Sequence, residues 1–91
     1  MTKLVWRAQA LDDLETIMTY VAESDVAAAR RLHETIESAA QLLASRPFAF
    51  RAGRVAGTRE MVVHPNYVLI YRTRTDRTEI VALVHARQQY P

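Results

Sequence analysis

The sequence predicts a small α+β protein in which a helix hairpin packs on a small antiparallel sheet, in the order β-α-α-β-β-β. Two amphipathic helical patterns occupy the first half of the chain, and three β-prone segments follow in the second half. The breaks between those segments are short enough for antiparallel hairpins. Because 91 residues provide only one hydrophobic core, we predict a single domain over residues 1–91.

The first half of the chain is predicted to form a strand and two helices. Lys3–Trp6 is a short β-prone segment, and Ala8–Glu23 has the period of an amphipathic helix. The apolar stripe of that helix is Leu11, Leu14, Ile17, Met18 and Val21. Ser24 offers an N-cap oxygen for the second helix, which ends at Arg46 because the residue before a proline disfavours helical backbone. The second stripe is Ala29, Leu32, Ile36, Ala39, Ala40 and Leu43.

The second half begins with Pro47–Gly57, which has two glycines and no sustained period and is predicted to be a loop. Strands are predicted over Arg59–His64, Tyr67–Arg74 and Thr78–Ala86. The last two strands are apolar at nearly every position, although two helices can cover only one face of a sheet. The second face therefore either forms a small core of its own or leaves an apolar strip for a partner.

Charge is distributed unevenly along the chain. Residues 1–45 carry four basic and seven acidic side chains, whereas residues 46–91 carry eight arginines and three acidic side chains. Arginine suits bidentate pairing with carboxylates and phosphates. We therefore expect the C-terminal half to bind something anionic, and the alternative is an ordinary solvated basic surface.

Composition excludes several classes of protein and site. Cysteine is absent and no apolar run approaches the roughly 20 residues that span a bilayer, so the chain is expected to be cytoplasmic and without a membrane segment. Three histidines without cysteine or paired spacing predict no metal site, and no cofactor is implied. His33 lies within the second predicted helix and receives no role. The serines lie in or at the ends of helices, which argues against a Ser–His–Asp triad.

Several short motifs resemble, in order, those of one family. They are Trp6 at a strand end, residues 10–14 (ALDDL), Ile17, Tyr20, residues 27–29 (AAA), residues 53–60 (GRVAGTRE), residues 64–67 (HPNY), Tyr71-Arg72 and residues 84–91 (VHARQQYP). Together they resemble the ParE/RelE superfamily of bacterial type II toxin–antitoxin toxins, and most closely its ParE branch. The resemblance spans almost the whole chain and implies the RelE/ParE-like fold.

The resemblance also implies a function. A toxin of this branch stabilises plasmids and arrests growth without catalysis, by binding and poisoning DNA gyrase. A cognate antitoxin holds it inactive in a hetero-oligomer, through a disordered acidic and apolar segment that folds on contact. We predict target binding on one surface formed by Arg59, Arg72, His85, Arg87 and Tyr90 in an extended tail. Antitoxin binding is predicted at Arg54, Arg59, Tyr67, Leu69 and Tyr71.

Two other functions remain open at the level of sequence. A ribosome-dependent mRNA endoribonuclease of the RelE type needs a general base, a general acid and a cation, which His64, His85 and the arginines include. The chain has one lysine, whereas that branch carries more lysines and extra basic or aromatic residues at its C-terminus. The other possibility is a small nucleic-acid-binding module without toxicity.

Overall fold

The computed structural model describes residues 3–90, as two helices packed on a five-stranded sheet. The elements are β1 Lys3–Trp6, α1 Ala8–Ser24, α2 Val26–Ser45, β2 Arg51–Ala52, β3 Arg59–His64, β4 Tyr67–Thr73 and β5 Arg77–His85. The predicted fold class is confirmed. The short strand β2 lies within the segment predicted to be a loop. Neither helix in the described part of the chain has the length and apolar character that crossing a bilayer requires.

The sheet has the strand order β1-β5-β4-β3-β2. Strands β2 to β5 pair antiparallel, while β1 pairs parallel with β5, which makes the sheet mixed rather than wholly antiparallel. The helix hairpin carries the chain from one edge of the sheet to the other. The direction of β1 depends on that crossover, and local sequence spacing does not reveal it.

Helix α2 is capped by Asp25, whose Oδ1 accepts a hydrogen bond from the Ala28 backbone N at 3.0 Å. The prediction that Ser24 caps this helix is wrong, because Ser24 is the last residue of α1. Both residues have side chains suited to N-caps, and the extended backbone at Asp25 decides between them. The predicted end of α2 is confirmed, with Arg46 as its C-cap.

The main core lies between the helices and the inner face of the sheet. All six residues of the predicted α2 stripe are buried. In α1, Leu14, Ile17, Met18 and Val21 pack partly buried against this core, but Leu11 is 50% exposed. The buried stripe of α1 begins instead at Ala10, one residue earlier, which corresponds to about 100° around the helix.

Strand β4 alternates between the two faces of the sheet. Tyr67, Leu69 and Tyr71 face the helices, and Val68 and Ile70 belong to a separate apolar cluster with Ala82 and Val84 of β5. Tyr90 packs against this second cluster. Of the two alternatives for the second face, the structure therefore has the small core of its own.

Asp13 connects α1 to the edge of β5. Strand β1 pairs with β5 only as far as Ile80, so the backbone of β5 beyond this point has no strand partner on that side among residues 3–90. The Leu83 N donates to Asp13 Oδ2 at 3.0 Å. A carboxylate thus satisfies a backbone donor that would otherwise require water.

Candidate functional site: arginines and histidines around the sheet

Four arginines of the basic half are held by two buried glutamates. Glu60 is 4% exposed, and it accepts hydrogen bonds from Arg54 Nε at 2.7 Å, the Arg54 backbone N at 2.9 Å and Arg51 Nη2 at 3.1 Å. These bonds, led by that of the Arg54 side chain, lower the pKa of Glu60 to about 2 despite its burial. Arg54 Nη1 also donates to the Gln88 carbonyl at 3.3 Å. The Arg54 guanidinium therefore joins β3 to the C-terminal tail, and it is only partly available to a partner.

Glu79 forms the second cluster, on β5. Its carboxylate lies 2.8 Å from Arg77 Nε, 3.4 Å from Arg74 Nε and 3.6 Å from Arg7 Nη1. The hydrogen bond from Arg77 is the main cause that lowers the pKa of Glu79. These arginines neutralise a carboxylate of their own chain, which reduces the charge that they offer to a ligand.

Arg59, Arg72 and Arg87, the arginines predicted to bind the target, make no ion pair within residues 3–90. Arg72 Nη1 lies 3.0 Å from the position that a Cβ on Gly57 would occupy, and the same glycine lines a cleft with Arg59. Gly57 has a φ of 81°, a conformation that favours glycine. Arg59 and Arg72 therefore lie on either side of this turn.

The predicted convergence of all these residues on one surface is wrong. Antiparallel pairing places Arg59 opposite Tyr71 at one end of the sheet and His85 opposite Tyr67 at the other. The five-residue step from Tyr67 to Arg72 along β4 corresponds to about 17 Å. Arg87 follows His85 in a turn, so it belongs with the histidines and not with Arg59 and Arg72.

The histidine end of the sheet contains three neighbouring rings. The Tyr67 ring centroid lies 5.6 Å from that of His64 and 5.6 Å from that of His85. His64 Nδ1 accepts from the Asn66 backbone N at 3.0 Å, and His85 Nδ1 accepts from the Arg87 backbone N at 3.1 Å. The neutral imidazoles therefore carry their protons on Nε2. Tyr67 and His85 line a cleft of ≈ 580 Å³ together with Asp13 and Tyr20.

Three residues predicted to bind the antitoxin are placed elsewhere. Tyr67, Leu69 and Tyr71 are buried under the helices, at 8%, 0% and 0% exposure, so they form no open surface in this conformation. The Tyr71 hydroxyl donates to the Pro47 carbonyl at 2.7 Å, and burial raises the pKa of this phenol. The apolar side chains of these three residues are as compatible with burial in the core as with an apolar surface for a partner. The sequence alone could not show which face of β4 packs under the helices.

The C-terminal tail turns back onto the sheet instead of extending beyond it. Gln88 Oε1 accepts from the His85 backbone N at 3.3 Å, and half-buried Tyr90 packs on the second apolar cluster. The tail was predicted to extend over residues 88–91 and to present Tyr90. That conformation is wrong for Gln88–Tyr90 because this cluster provides apolar surface for the ring, and Pro91 lies outside the described residues.

Comparison with known proteins decides the family. The family model described as the ParE toxin of the type II toxin–antitoxin system parDE matches residues 4–90. The chain belongs to the ParE toxin family. This ParE-family toxin is 37% identical over 90 residues to a protein of Sinorhizobium fredii named "Putative toxin Y4kP", covering 98% of this chain and 93% of the relative. It is 36% identical over 88 residues to "Toxin RelE2" of Caulobacter vibrioides, covering 94% of this chain and 97% of that relative.

Solved structures support the same fold. A chain of the chromosomal ParDE TA system from P. aeruginosa superposes on this ParE-family toxin with a TM-score of 0.80 at 21% identity, covering 93% of this chain and 96% of the other. Membership of the family implies an antitoxin as partner.

Two features near the arginines were missed at the level of sequence. Phe48 is 70% exposed beside Arg59, and Thr73 lines the same cleft. An aromatic residue following Pro47 in the predicted loop was a signal for the first of them.

Proposed function

We propose that this ParE-family toxin acts in the cytoplasm by binding and poisoning DNA gyrase, and that it thereby arrests growth and stabilises the replicon that encodes it. A cognate antitoxin binds the toxin in a hetero-oligomer through a disordered acidic and apolar segment that folds on contact. The hydrogen bonds of His64 and His85 are the observation that favours a binding role over a catalytic one. Each imidazole accepts a backbone N–H at Nδ1 and so holds a turn.

A general base needs a lone pair directed at the proton that it removes. In both histidines the Nδ1 lone pair is already occupied, and the neutral ring carries a proton on Nε2. Either imidazole would have to break a turn hydrogen bond before it could act as a base. Arg59, Arg72 and Arg87 pair with no carboxylate in the part of the chain that the structure describes, and guanidinium groups suit the recognition of a protein surface.

Induction of the chain in a bacterium tests this proposal. Poisoned gyrase leaves broken DNA, so we expect induction of the DNA-damage response and filamentous cells while protein synthesis continues. Expression of the neighbouring antitoxin should reverse both effects. A matched culture with a gyrase variant selected for resistance to the toxin should grow normally. An immediate stop in translation with mRNA cleavage and intact DNA would contradict the proposal and support the endoribonuclease.

A further inference from the structure

A second cleft, of ≈ 310 Å³, lies between the loop after α2 and the end of the sheet that bears Arg59. Its lining residues are Phe48, Ala52, Gly57, Thr58, Arg59 and Thr73. The volume corresponds to about ten water molecules at roughly 30 Å³ each, which is room for one or two side chains of a partner. The cleft is therefore a small recognition site and not a groove for a folded element.

Thr73 contributes a buried hydroxyl that has no hydrogen-bond partner among residues 3–90. Buried side-chain hydroxyls are nearly always hydrogen-bonded, because burying one without a partner costs about 1–3 kcal/mol. The other hydroxyl that lines the cleft, that of Thr58, donates to the Val55 carbonyl at 2.6 Å. Because Thr73 also lines the cleft, rotation of its side chain about χ1 would bring this hydroxyl to an acceptor that enters the cleft.

Arg59 contributes an unused edge of its guanidinium group. Nη1 donates to the carbonyls of Phe48 at 3.4 Å and Phe50 at 2.8 Å, which leaves the N–H groups of Nε and Nη2 without an acceptor in the described chain. Nε and Nη2 together form a fork that matches the two oxygens of a carboxylate. The Phe48 ring lies 5.2 Å from the guanidinium carbon and holds it in place from one side.

We propose that this cleft binds one carboxylate side chain of an acidic partner segment. Its two oxygens pair with Arg59 Nε and Nη2, and one of them accepts from the Thr73 hydroxyl. An apolar residue next to the carboxylate packs on exposed Phe48. The identification of that segment with the antitoxin rests on the proposed function, whereas the carboxylate specificity rests on the cleft alone.

Charge around the cleft favours an acidic peptide over a nucleic acid. A phosphate backbone needs a series of available cations along its path. Arg51 and Arg54 are already paired with Glu60, which lies on the opposite face of β3 from Arg59, and Arg72 beside Gly57 makes no ion pair within residues 3–90. A single compact anion with an apolar neighbour is the ligand that this arrangement fits.

The test is an NMR titration of the purified full-length chain with a blocked pentapeptide of alternating leucine and glutamate. We expect the amide signals of Gly57, Thr58 and Thr73 to move, and the same peptide with glutamine in place of glutamate to leave them unchanged. Thr73→Val keeps the shape of the side chain and removes the hydroxyl, so it should retain the fold and weaken the peptide by about threefold to tenfold. Arg59→Gln should weaken it by about tenfold or more.

Arg30→Gln is the matched control, since it removes the same charge from an exposed position on α2 and should leave peptide affinity unchanged. Equal shifts with both peptides, or unchanged affinity for Thr73→Val, would overturn the proposal. Stronger shifts at the same amides with pentauridylate would also overturn it, in favour of nucleic acid. If the chain binds the peptide but causes no DNA damage, only the proposal of gyrase as target is contradicted. If it damages DNA but does not bind the peptide, only the proposal of a carboxylate site in the cleft is contradicted.

Discussion

At the scale of single residues, the basic half of the chain contains two kinds of arginine that the sequence does not distinguish. Arg54 and Arg77 each donate to a buried glutamate, and the acidic partner raises the pKa of each guanidinium. Arg59 and Arg87 have no carboxylate partner in the described chain. The excess of positive charge could be predicted from composition. Its division into structural and available groups depends on the folded structure, in which Glu60 lies opposite Arg51 and pairs with it, whereas Glu79 lies opposite Arg72 but pairs with Arg77 and Arg74.

Glu60 should make stability depend on pH. Its pKa in the folded protein is about 2, below the value of 4.5 expected without these partners. The stabilisation is therefore complete above pH 4.5 and is lost as the pH falls from 4.5 towards 2. We expect the free energy of unfolding to fall by about 2–3 kcal/mol across this interval, as measured by urea denaturation.

Glu60→Gln is the control for this pH effect. It should be less stable than the parent at pH 7 and should show a shallower pH dependence below pH 5. Glu79, whose pKa is also lowered, retains its contribution in both proteins. If the two pH profiles had the same slope, Glu60 would not be the titrating group.

Substitutions of Arg87 and of its neighbour His85 distinguish a toxin that binds its target from one that is a nuclease. Arg87→Ala should abolish growth arrest, because truncating an interfacial arginine costs about 2–4 kcal/mol, or roughly 30- to 1,000-fold in affinity. His85→Asn should remain toxic, since the Asn oxygen can replace Nδ1 as acceptor for the Arg87 backbone N. An amide cannot transfer a proton near neutral pH, so a nuclease that uses this imidazole would lose activity.

Growth on plates under graded induction measures both variants, and melting curves confirm that each is folded. Arg46→Ala controls for net charge and should remain toxic. It removes another arginine that makes no ion pair in the described chain. Full toxicity of Arg87→Ala would exclude this residue from the target interface.

At the scale of secondary structure elements, helix periodicity predicted more than strand patterning did. All six residues of the predicted α2 stripe are buried, with Ala44 in addition, because an amphipathic helix packed on a sheet buries one continuous face. The faces of β4 could not be assigned, since the strand is apolar on both sides. The two-residue strand β2 and the direction of β1 could not be predicted either, because both depend on pairing with residues distant in sequence.

Ile36 and Leu11 test the packing of the helix hairpin. Ile36 is fully buried, so Ile36→Ala should cost about 2–5 kcal/mol of a total stability of roughly 5–10 kcal/mol. Leu11→Ala, at a half-exposed position in the other helix, should change stability by no more than about 0.5 kcal/mol. Chemical denaturation of both variants measures the difference. Similar losses in both would contradict the assignment of the buried α1 stripe to Ala10, Leu14, Ile17 and Val21.

At the scale of the whole molecule, the second face of the sheet is closed by the chain's own tail. A partner is therefore not required to cover that apolar cluster. The antitoxin is still expected to stabilise the toxin, because a ligand that binds only the folded state shifts the unfolding equilibrium by mass action. At a concentration of antitoxin about 100 times its Kd, the gain is about 2.7 kcal/mol.

This expectation is tested by measuring the thermal midpoint of the purified chain with and without the product of the neighbouring open reading frame. The midpoint should rise as the antitoxin concentration increases. A peptide of the same composition in scrambled order should have no effect. A midpoint that does not change at any antitoxin concentration would show that the two proteins do not associate.

The shortness of β2 leaves part of β3 with an open edge. Only Arg59 and Glu60 pair with β2, so Met61–His64 has no strand on its outer side within the described chain. Val62, on this edge, is 54% exposed, and the irregular register between Val62 and His64 interrupts the edge only at its end. Open apolar edges promote aggregation by pairing between copies. Concentrated protein should therefore aggregate, and Val62→Lys should raise the concentration at which light scattering begins.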